Sequence, residues 1–266
     1  MTVDTFQGWT YHLSDVADHT WVRVPGKGDF RCWGGTSGDG DWMVNEGTGK
    51  SYAVANDYRM NIGEFHDTAQ IVYGVTGVCH QTANRYMLPA RTMLDWRVRG
   101  YWASTILYGG HGGGFDLWFV GVYTPICIKH GVNPFGDSIG EAAGDFELTE
   151  LDMLLDVHAK APAGTAPAPH EEAELLAGFR GHHEEYDTIK AKHRNLIETR
   201  DDVLTKDGVE SAVSPRAADQ INAALKDFQA DAVAAMGREA FERVSGQAAD
   251  ERLSVIDPSI VAALHR

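Results

Sequence analysis

Hydrophobic and polar positions divide the chain into two unlike parts. In the N-terminal part, short apolar runs alternate with glycine-rich turns. The segments HTWVRV (19–24) and DFRCWGG (29–35) flank the turn PGKG, which predicts a β-hairpin. Three later segments are rich in aromatic and β-branched residues and favour strands: residues 70–77, 100–110 and 115–131.

A polar segment follows the first of these runs. Its sequence, HQTANRYMLP (80–89), is typical of a short helix that ends at Pro89. The glycine loop GGHGGG (109–114) lacks the Lys-Ser/Thr pair that completes a phosphate-binding loop, so we expect a flexible hairpin tip or a lid there. Strands mixed with short helices predict the α+β class for this part of the chain.

Helical spacing dominates the C-terminal part. From Leu175 to Ile197, apolar residues recur mostly at intervals of three, four and seven. Ser214 as N-cap and Pro215 at the first helical position indicate a second helix, which closes at Gly237. The short segment REAFERVSG follows. We expect a hairpin of two long antiparallel helices and a short helix after it.

The segment APAGTAPAP (161–169) separates the two parts and has the composition of an extended linker. An amphipathic helix is predicted just before it, at ELTELDMLLDVHAK. All seven tryptophans and all three cysteines precede the linker. These features predict an α+β domain over residues 1–160, a linker over 161–169 and a helical region over 170–266.

Composition narrows the classes of function. A net charge of −15 argues against a nucleic-acid-binding protein and against binding to an anionic membrane. No run approaches the ~20 apolar residues of a membrane span, and the first residues do not have the pattern of a secretory signal. Three cysteines without a CxxC pair favour neither a disulfide framework nor a structural zinc site. We expect a cytoplasmic protein without a metal or cofactor.

Cys79 lies between a predicted strand and a predicted helix, in VTGVCHQTAN (75–84). A thiol is nucleophilic as the thiolate, which the N–H groups and the positive dipole end at a helix start stabilise. A small buried residue, a metal ligand and a redox group are the other possible roles of this cysteine. Cys32 and Cys127 fall within strand-like patterns and fit a buried role.

A cysteine nucleophile needs a histidine close in space. His19 opens a strand that would hold its imidazole rigidly, and it is the first candidate. His66, His80 and His111 are the alternatives. His80 is adjacent to Cys79, and neighbouring helical positions point about 100° apart, so the two rarely face each other.

The pair DHTWVRV and GVCHQTAN, with the histidine ahead of the cysteine, resembles the circularly permuted papain-like cysteine hydrolases. The resemblance implies a papain-like α+β domain with a small antiparallel sheet, with Cys79 as nucleophile and His19 as base. The residue that orients the histidine is left open, because Asp18, Asp41 or Gln81 would have to reach it.

We therefore expect a thiol-dependent hydrolase or acyltransferase that acts on an amide or peptide-type bond in a peptide or a small molecule. The N–H of Cys79, helped by Gln81 or Asn84, would hold the oxyanion. Aromatic walls are expected around the substrate, and the predicted substrate-binding residues are Trp21, Trp33, His80 and Asn84. The alternative is a non-catalytic binding or assembly protein, in which the C-terminal helices mediate oligomerisation, with a homodimer as the simplest form.

Overall fold

The computed structural model of the protein describes residues 3–12, 17–33, 41–50, 52–57, 69–95, 97–132, 183–209, 212–251 and 253–266. Its strands form one antiparallel sheet with the order β3-β2-β1-β4. The strands are β1 Val3–Tyr11, β2 His19–Val24, β3 Gly28–Phe30 and β4 Trp42–Lys50. Helices pack against this small sheet, so the predicted α+β class is confirmed.

The predicted hairpin is the pair β2–β3, with Val24 opposite Gly28. Strands β1 and β4 were not predicted, because glycine and polar residues interrupt their apolar pattern. Packing explains the glycines of β4. A Cβ atom on Gly49 would lie 2.2 Å from the carbonyl oxygen of Pro89, so only glycine allows this close approach.

The sheet has two chemically different faces, because successive residues of a strand point to opposite sides. On one face, Phe30 packs against Tyr86 of the helix Cys79–Met87, with ring centroids 5.1 Å apart. We call it the helix face, and it includes Gly8, Thr10, Thr20 and Val22 of the two central strands. The other, the aromatic face, carries Trp9, Tyr11, His19 and Trp21.

Short helices follow the sheet. They are α1 Tyr52–Asp57, α2 Cys79–Met87, α3 Tyr101–Tyr108, α4 Phe115–Trp118 and α5 Thr124–Lys129. A 3₁₀ turn, Leu88–Ala90, ends α2, and a π-helical turn, Phe119–Tyr123, joins α4 to α5. The helix predicted before Pro89 is therefore confirmed, with its first residue at Cys79.

The strands predicted over residues 100–110 and 115–131 are wrong, since these segments form α3 and the helix α4–α5. Every residue of α3 is buried. A helix that is surrounded by protein on all sides is apolar all round and lacks the spacing that marks a surface helix. Its aromatic and β-branched composition then resembles that of a buried strand.

The strand predicted over residues 70–77 is also wrong. The segment is a tight loop in which Tyr73 and Gly77 form an isolated bridge. The Gly74 N–H donates to the carbonyl of Gly77 at 2.8 Å. Gly74 has a φ of +72°, which breaks the extended conformation and favours glycine.

The C-terminal helices are α6 His183–Asp207, α7 Pro215–Met236, α8 Arg238–Ser245 and α9 Pro258–Leu264. The Ser214 hydroxyl accepts from the N–H of Ala217, which confirms the predicted N-cap of α7. Only residues 208–214 connect α6 to α7, and an ion pair joins Lys192 and Asp231, which are about equally far from that connection. The two helices therefore run antiparallel. The linker over 161–169, the helix predicted before it and the start of the region at 170–182 lie outside the described residues.

One hydrophobic cluster joins the two parts of the chain. It contains Cys79 and Trp102 from the N-terminal part and Phe228 and Ile256 from the C-terminal part. The rings of Trp102 and Phe228 stack with centroids 6.1 Å apart. The C-terminal helices therefore pack on the sheet-containing part of the same chain. Among the described residues, no helix has the length and apolarity to cross a membrane.

Candidate functional site

Cys79 occupies the first position of α2, which packs on the helix face of the sheet. Its Sγ lies 3.8 Å from the carbonyl oxygen of Asp18. The side chain is 7% exposed. Burial raises the pKa of the Cys79 thiol to about 11, although hydrogen bonds from Thr20 oppose the shift. In this conformation the thiol is protonated at neutral pH.

The side chain of His80 is also directed at the Asp18 carbonyl. Its Nε2 lies 2.9 Å from that oxygen, and its Nδ1 lies 2.7 Å from the hydroxyl of Ser104. A carbonyl can only accept, so Nε2 carries the proton. Burial lowers the pKa of His80 to about 4. The ring is therefore neutral, and Nδ1 is an acceptor for the Ser104 hydroxyl, which also lies 2.9 Å from the Tyr101 carbonyl.

Gln81, Asn84 and Arg85 anchor the glycine loop. Gln81 donates to the carbonyl of Gly109 at 3.0 Å, and Asn84 donates to that of Gly110 at 2.5 Å. Arg85 donates to the carbonyls of His111 and Gly112. The prediction of a flexible tip or lid at this loop is wrong, because residues 109–112 are buried and held by three side chains of α2.

The polar character of α2 thus has a structural cause. Gln81 also accepts from the N–H of Val78 at 3.1 Å, and Asn84 accepts from the N–H of Leu94 at 2.9 Å. Both amide side chains are buried and already hydrogen-bonded at oxygen and nitrogen. Their predicted contacts with an oxyanion or a substrate would require these bonds to break.

The structure does not bring His19 to Cys79. The His19 ring lies on the aromatic face, 5.3 Å from the ring of Tyr11, whereas Cys79 packs on the helix face beside Thr20. Neither ring nitrogen of His19 has a hydrogen-bond partner in the described part of the chain. Burial lowers the pKa of His19 to about 3, so the ring is neutral.

The two predicted substrate-binding tryptophans lie in different places. Trp21 accompanies His19 on the aromatic face, where the guanidinium of Arg31 stacks on its ring at 4.5 Å. Trp33 belongs to the hydrophobic cluster of Cys79 and contacts Tyr73, with ring centroids 4.8 Å apart. Trp33 and His80 therefore lie on the side of the sheet where Cys79 lies. His111 is buried against Phe115, and His66 falls outside the described residues.

A histidine that sequence reasoning passed over lies next to this site. His12 Nδ1 forms a short hydrogen bond with a carboxylate oxygen of Asp18. The other carboxylate oxygen of Asp18 accepts from the N–H of Arg99 at 2.9 Å. Burial raises the pKa of the Asp18 carboxyl, while the bonds from Arg99 and His12 act in the opposite direction. Asp18 is buried, whereas the side chain of His12 is 63% exposed.

Sheet register explains this pairing. Thr10 lies opposite Thr20 on the helix face, so the alternation places His12 and Asp18 opposite each other on that same side. Because β1 was not predicted, its register with β2 could not be used. Recognition of β1 as the neighbour of β2 would have placed His12 opposite Asp18 and so identified it.

The described residues contain no cluster of three His, Cys, Asp or Glu side chains that could hold a metal ion. All three cysteines are free and buried. No protein-family model, no curated protein and no solved structure matches this chain.

Proposed function

We propose that the protein is a thiol-dependent hydrolase or acyltransferase that acts on an amide or peptide-type bond, with Cys79 as the nucleophile and the His12–Asp18 pair as the acid–base unit. One observation carries the proposal: Asp18 contacts the thiol through its carbonyl and His12 through its carboxylate. A buried carboxylate that orients an exposed imidazole is the arrangement used in acid–base catalysis.

The proposed steps require His12 Nε2 to come within hydrogen-bond distance of Cys79 Sγ. Asp18, which contacts both residues, keeps them near each other. Asp18 engages His12 at Nδ1, which leaves Nε2 to take the proton from Cys79 Sγ. The thiolate then forms a bond to the substrate carbonyl carbon, and the displaced electron pair moves to the carbonyl oxygen. N–H groups at the start of α2 would stabilise that oxyanion. When the intermediate collapses, the C–N bond breaks and the leaving amine takes the proton from His12. Water or a second amine then attacks the acyl-enzyme and gives a proton to His12. The C–S bond breaks, and the proton returns to Cys79.

The proposal retains the resemblance to permuted papain-like hydrolases. In both, the cysteine begins a helix that packs on an antiparallel sheet, next to a strand from earlier in the chain. The difference lies in the histidine: we assign the base to the residue that follows β1, and not to His19 at the start of β2.

Replacement of each cysteine tests the proposal. With p-nitrophenyl acetate as a general acyl donor, we expect the chain to hydrolyse the ester above the uncatalysed rate. Cys79→Ser should reduce the rate to background, and Cys127→Ser, a change at another buried cysteine, should leave it within about twofold. Unchanged turnover in Cys79→Ser would exclude the proposed nucleophile.

A second candidate function is the non-catalytic binding or assembly protein. It is favoured by the structural use of Gln81, Asn84 and Arg85, which gives the polar α2 a role without catalysis. Exposed apolar residues on the helix α4–α5, Leu117 and Ile128, would suit a homodimer. If this candidate is correct, Cys79→Ser and the unmodified chain hydrolyse the ester at the same rate. Leu117→Glu then abolishes a dimer that sedimentation detects in the unmodified chain.

A further inference from the structure

A segment from the far end of the chain packs close to Cys79. Val255, Ile256 and Ile260 lie in the same hydrophobic cluster as Cys79. A Cβ atom on Gly74, in the loop that leads to Cys79, would be 3.3 Å from Ile256. The segment over 253–261 therefore packs on the loop that leads into the nucleophile.

Two polar attachments fix this segment beside the site. The N–H of Asp257 donates to the hydroxyl of Tyr73 at 2.9 Å, and Tyr73 packs near the thiol. Glu251 forms a short ion pair with Arg99, whose backbone N–H is bonded to Asp18. The bond to Tyr73 is thus close to Cys79. The ion pair with Arg99 involves a residue that is itself hydrogen-bonded to Asp18 of the His12–Asp18 pair.

We propose that residues 253–261, anchored by Glu251, form a cover over Cys79 that must move aside before the thiol can react. This inference rests on the proposed function, because it concerns access to the proposed nucleophile. Movement of the cover admits water to the thiol, which removes part of the desolvation that keeps it protonated. The structure is then the closed, resting form of the site.

Hydrogen bonds within the segment and to α7 maintain its shape. The Asp257 carboxylate caps α9 by accepting from the N–H of Ser259 at 2.7 Å. Asn222 of α7 bonds both backbone groups of Ile256, at 2.8 and 3.1 Å. These bonds hold the segment to α7 and leave Tyr73 and Arg99 as its polar attachments to the site.

The two attachments can be removed one at a time in the full-length chain. Glu251→Gln removes the charge that pairs with Arg99. Asp250→Asn is the matched control, because it makes the same kind of change at the neighbouring carboxylate, which is 74% exposed and pairs with Arg238. Tyr73→Phe removes the acceptor of the Asp257 N–H. The measurement is the rate of iodoacetamide alkylation at Cys79 at pH 8, followed by peptide mass spectrometry.

We expect Glu251→Gln to raise the alkylation rate of Cys79 about two- to fivefold and Tyr73→Phe to raise it about tenfold. Asp250→Asn should match the unmodified chain, and the rate at Cys127 should not change. An unchanged alkylation rate of Cys79 in both variants would overturn the proposal. An equal rise in the rate at Cys127 would also overturn it, because it would show that the whole fold is destabilised. Alkylation requires no turnover, so this result is independent of the ester test with Cys79→Ser.

Discussion

At the scale of single residues, the site depends on which side chains are buried in their neutral form and which share a hydrogen-bond partner. Asp18 contacts the thiol and His80 through its carbonyl oxygen and His12 through its carboxylate. His19 and His80 are both buried, and burial lowers the pKa of His19 to about 3 and that of His80 to about 4. Neutral histidines of this kind make the fold sensitive to acid.

The sign of this pH dependence follows from the direction of the shift. Because folding lowers the pKa of His19 from 6.5 to about 3, its contribution is fully present above pH 6.5 and is lost as the pH falls toward 3. Between pH 7 and pH 5 the loss is at most roughly 2 kcal/mol. We expect His19→Phe to remove this part of the loss and to leave the stability at pH 7 unchanged or higher, since it removes two unsatisfied nitrogens.

Urea unfolding at the two pH values measures the effect. The difference in free energy of unfolding between pH 7 and pH 5 should be smaller in His19→Phe than in the unmodified chain. An identical pH dependence in both proteins would show that His19 is protonated in the fold or is not buried as described.

At the scale of elements, α2 organises the N-terminal part of the chain. One side packs on the sheet, and its polar side chains hold the glycine loop. Arg85 is the largest of these side chains. It is 1% exposed, donates to three backbone carbonyls and stacks on Trp118 at 4.6 Å. The loop and the helix therefore form one unit.

We expect Arg85→Met to lower the free energy of unfolding by about 3 kcal/mol, because it leaves buried carbonyls without their donor. Arg216→Met is the control; Arg216 is exposed, so its replacement should stay within about 0.5 kcal/mol. Urea denaturation measures both. A similar small effect in the two variants would contradict the anchoring role of Arg85.

Elements whose ends are set by local chemistry could be predicted from the sequence. Ser214, Pro215 and Gly237 act within one helix, and α7 begins and ends where they indicate. The end of α2 near Pro89 was predicted from the same kind of local signal, because proline does not continue a helix. The nature of α3 could not be predicted, because contacts from all sides make its composition strand-like. The His12–Asp18 pair depends on the register of β1 and β2, which only the folded sheet defines.

At the scale of the whole molecule, the two parts of the chain share a core. Trp102 lies between Phe228 of α7 and Phe241 of α8. The cluster that contains them also reaches Cys79. Loss of the C-terminal helices would expose apolar residues of α3, so we expect the described parts to unfold together.

The placement of the tryptophans allows a direct test of this cooperativity. All seven precede residue 119, so tryptophan fluorescence reports on the N-terminal part. Most of the helical residues that the structure describes, which give rise to the far-ultraviolet circular dichroism, lie in α6 to α9. We expect the two signals to change at the same urea concentration. Phe228→Ala should lower both midpoints together, with a loss of about 3 kcal/mol. Separate transitions would show that the two parts fold independently.

The central claim, that Cys79 forms an acyl-enzyme with help from His12, is tested most directly by trapping that intermediate. The chain is mixed with p-nitrophenyl acetate, quenched in acid at successive times and analysed by peptide mass spectrometry. We expect the acetyl group on Cys79, formed at a similar rate in His19→Phe and slowed on the order of 100-fold in His12→Gln. Acetylation that is equally fast in His12→Gln, or that occurs at other residues and not at Cys79, would contradict the account.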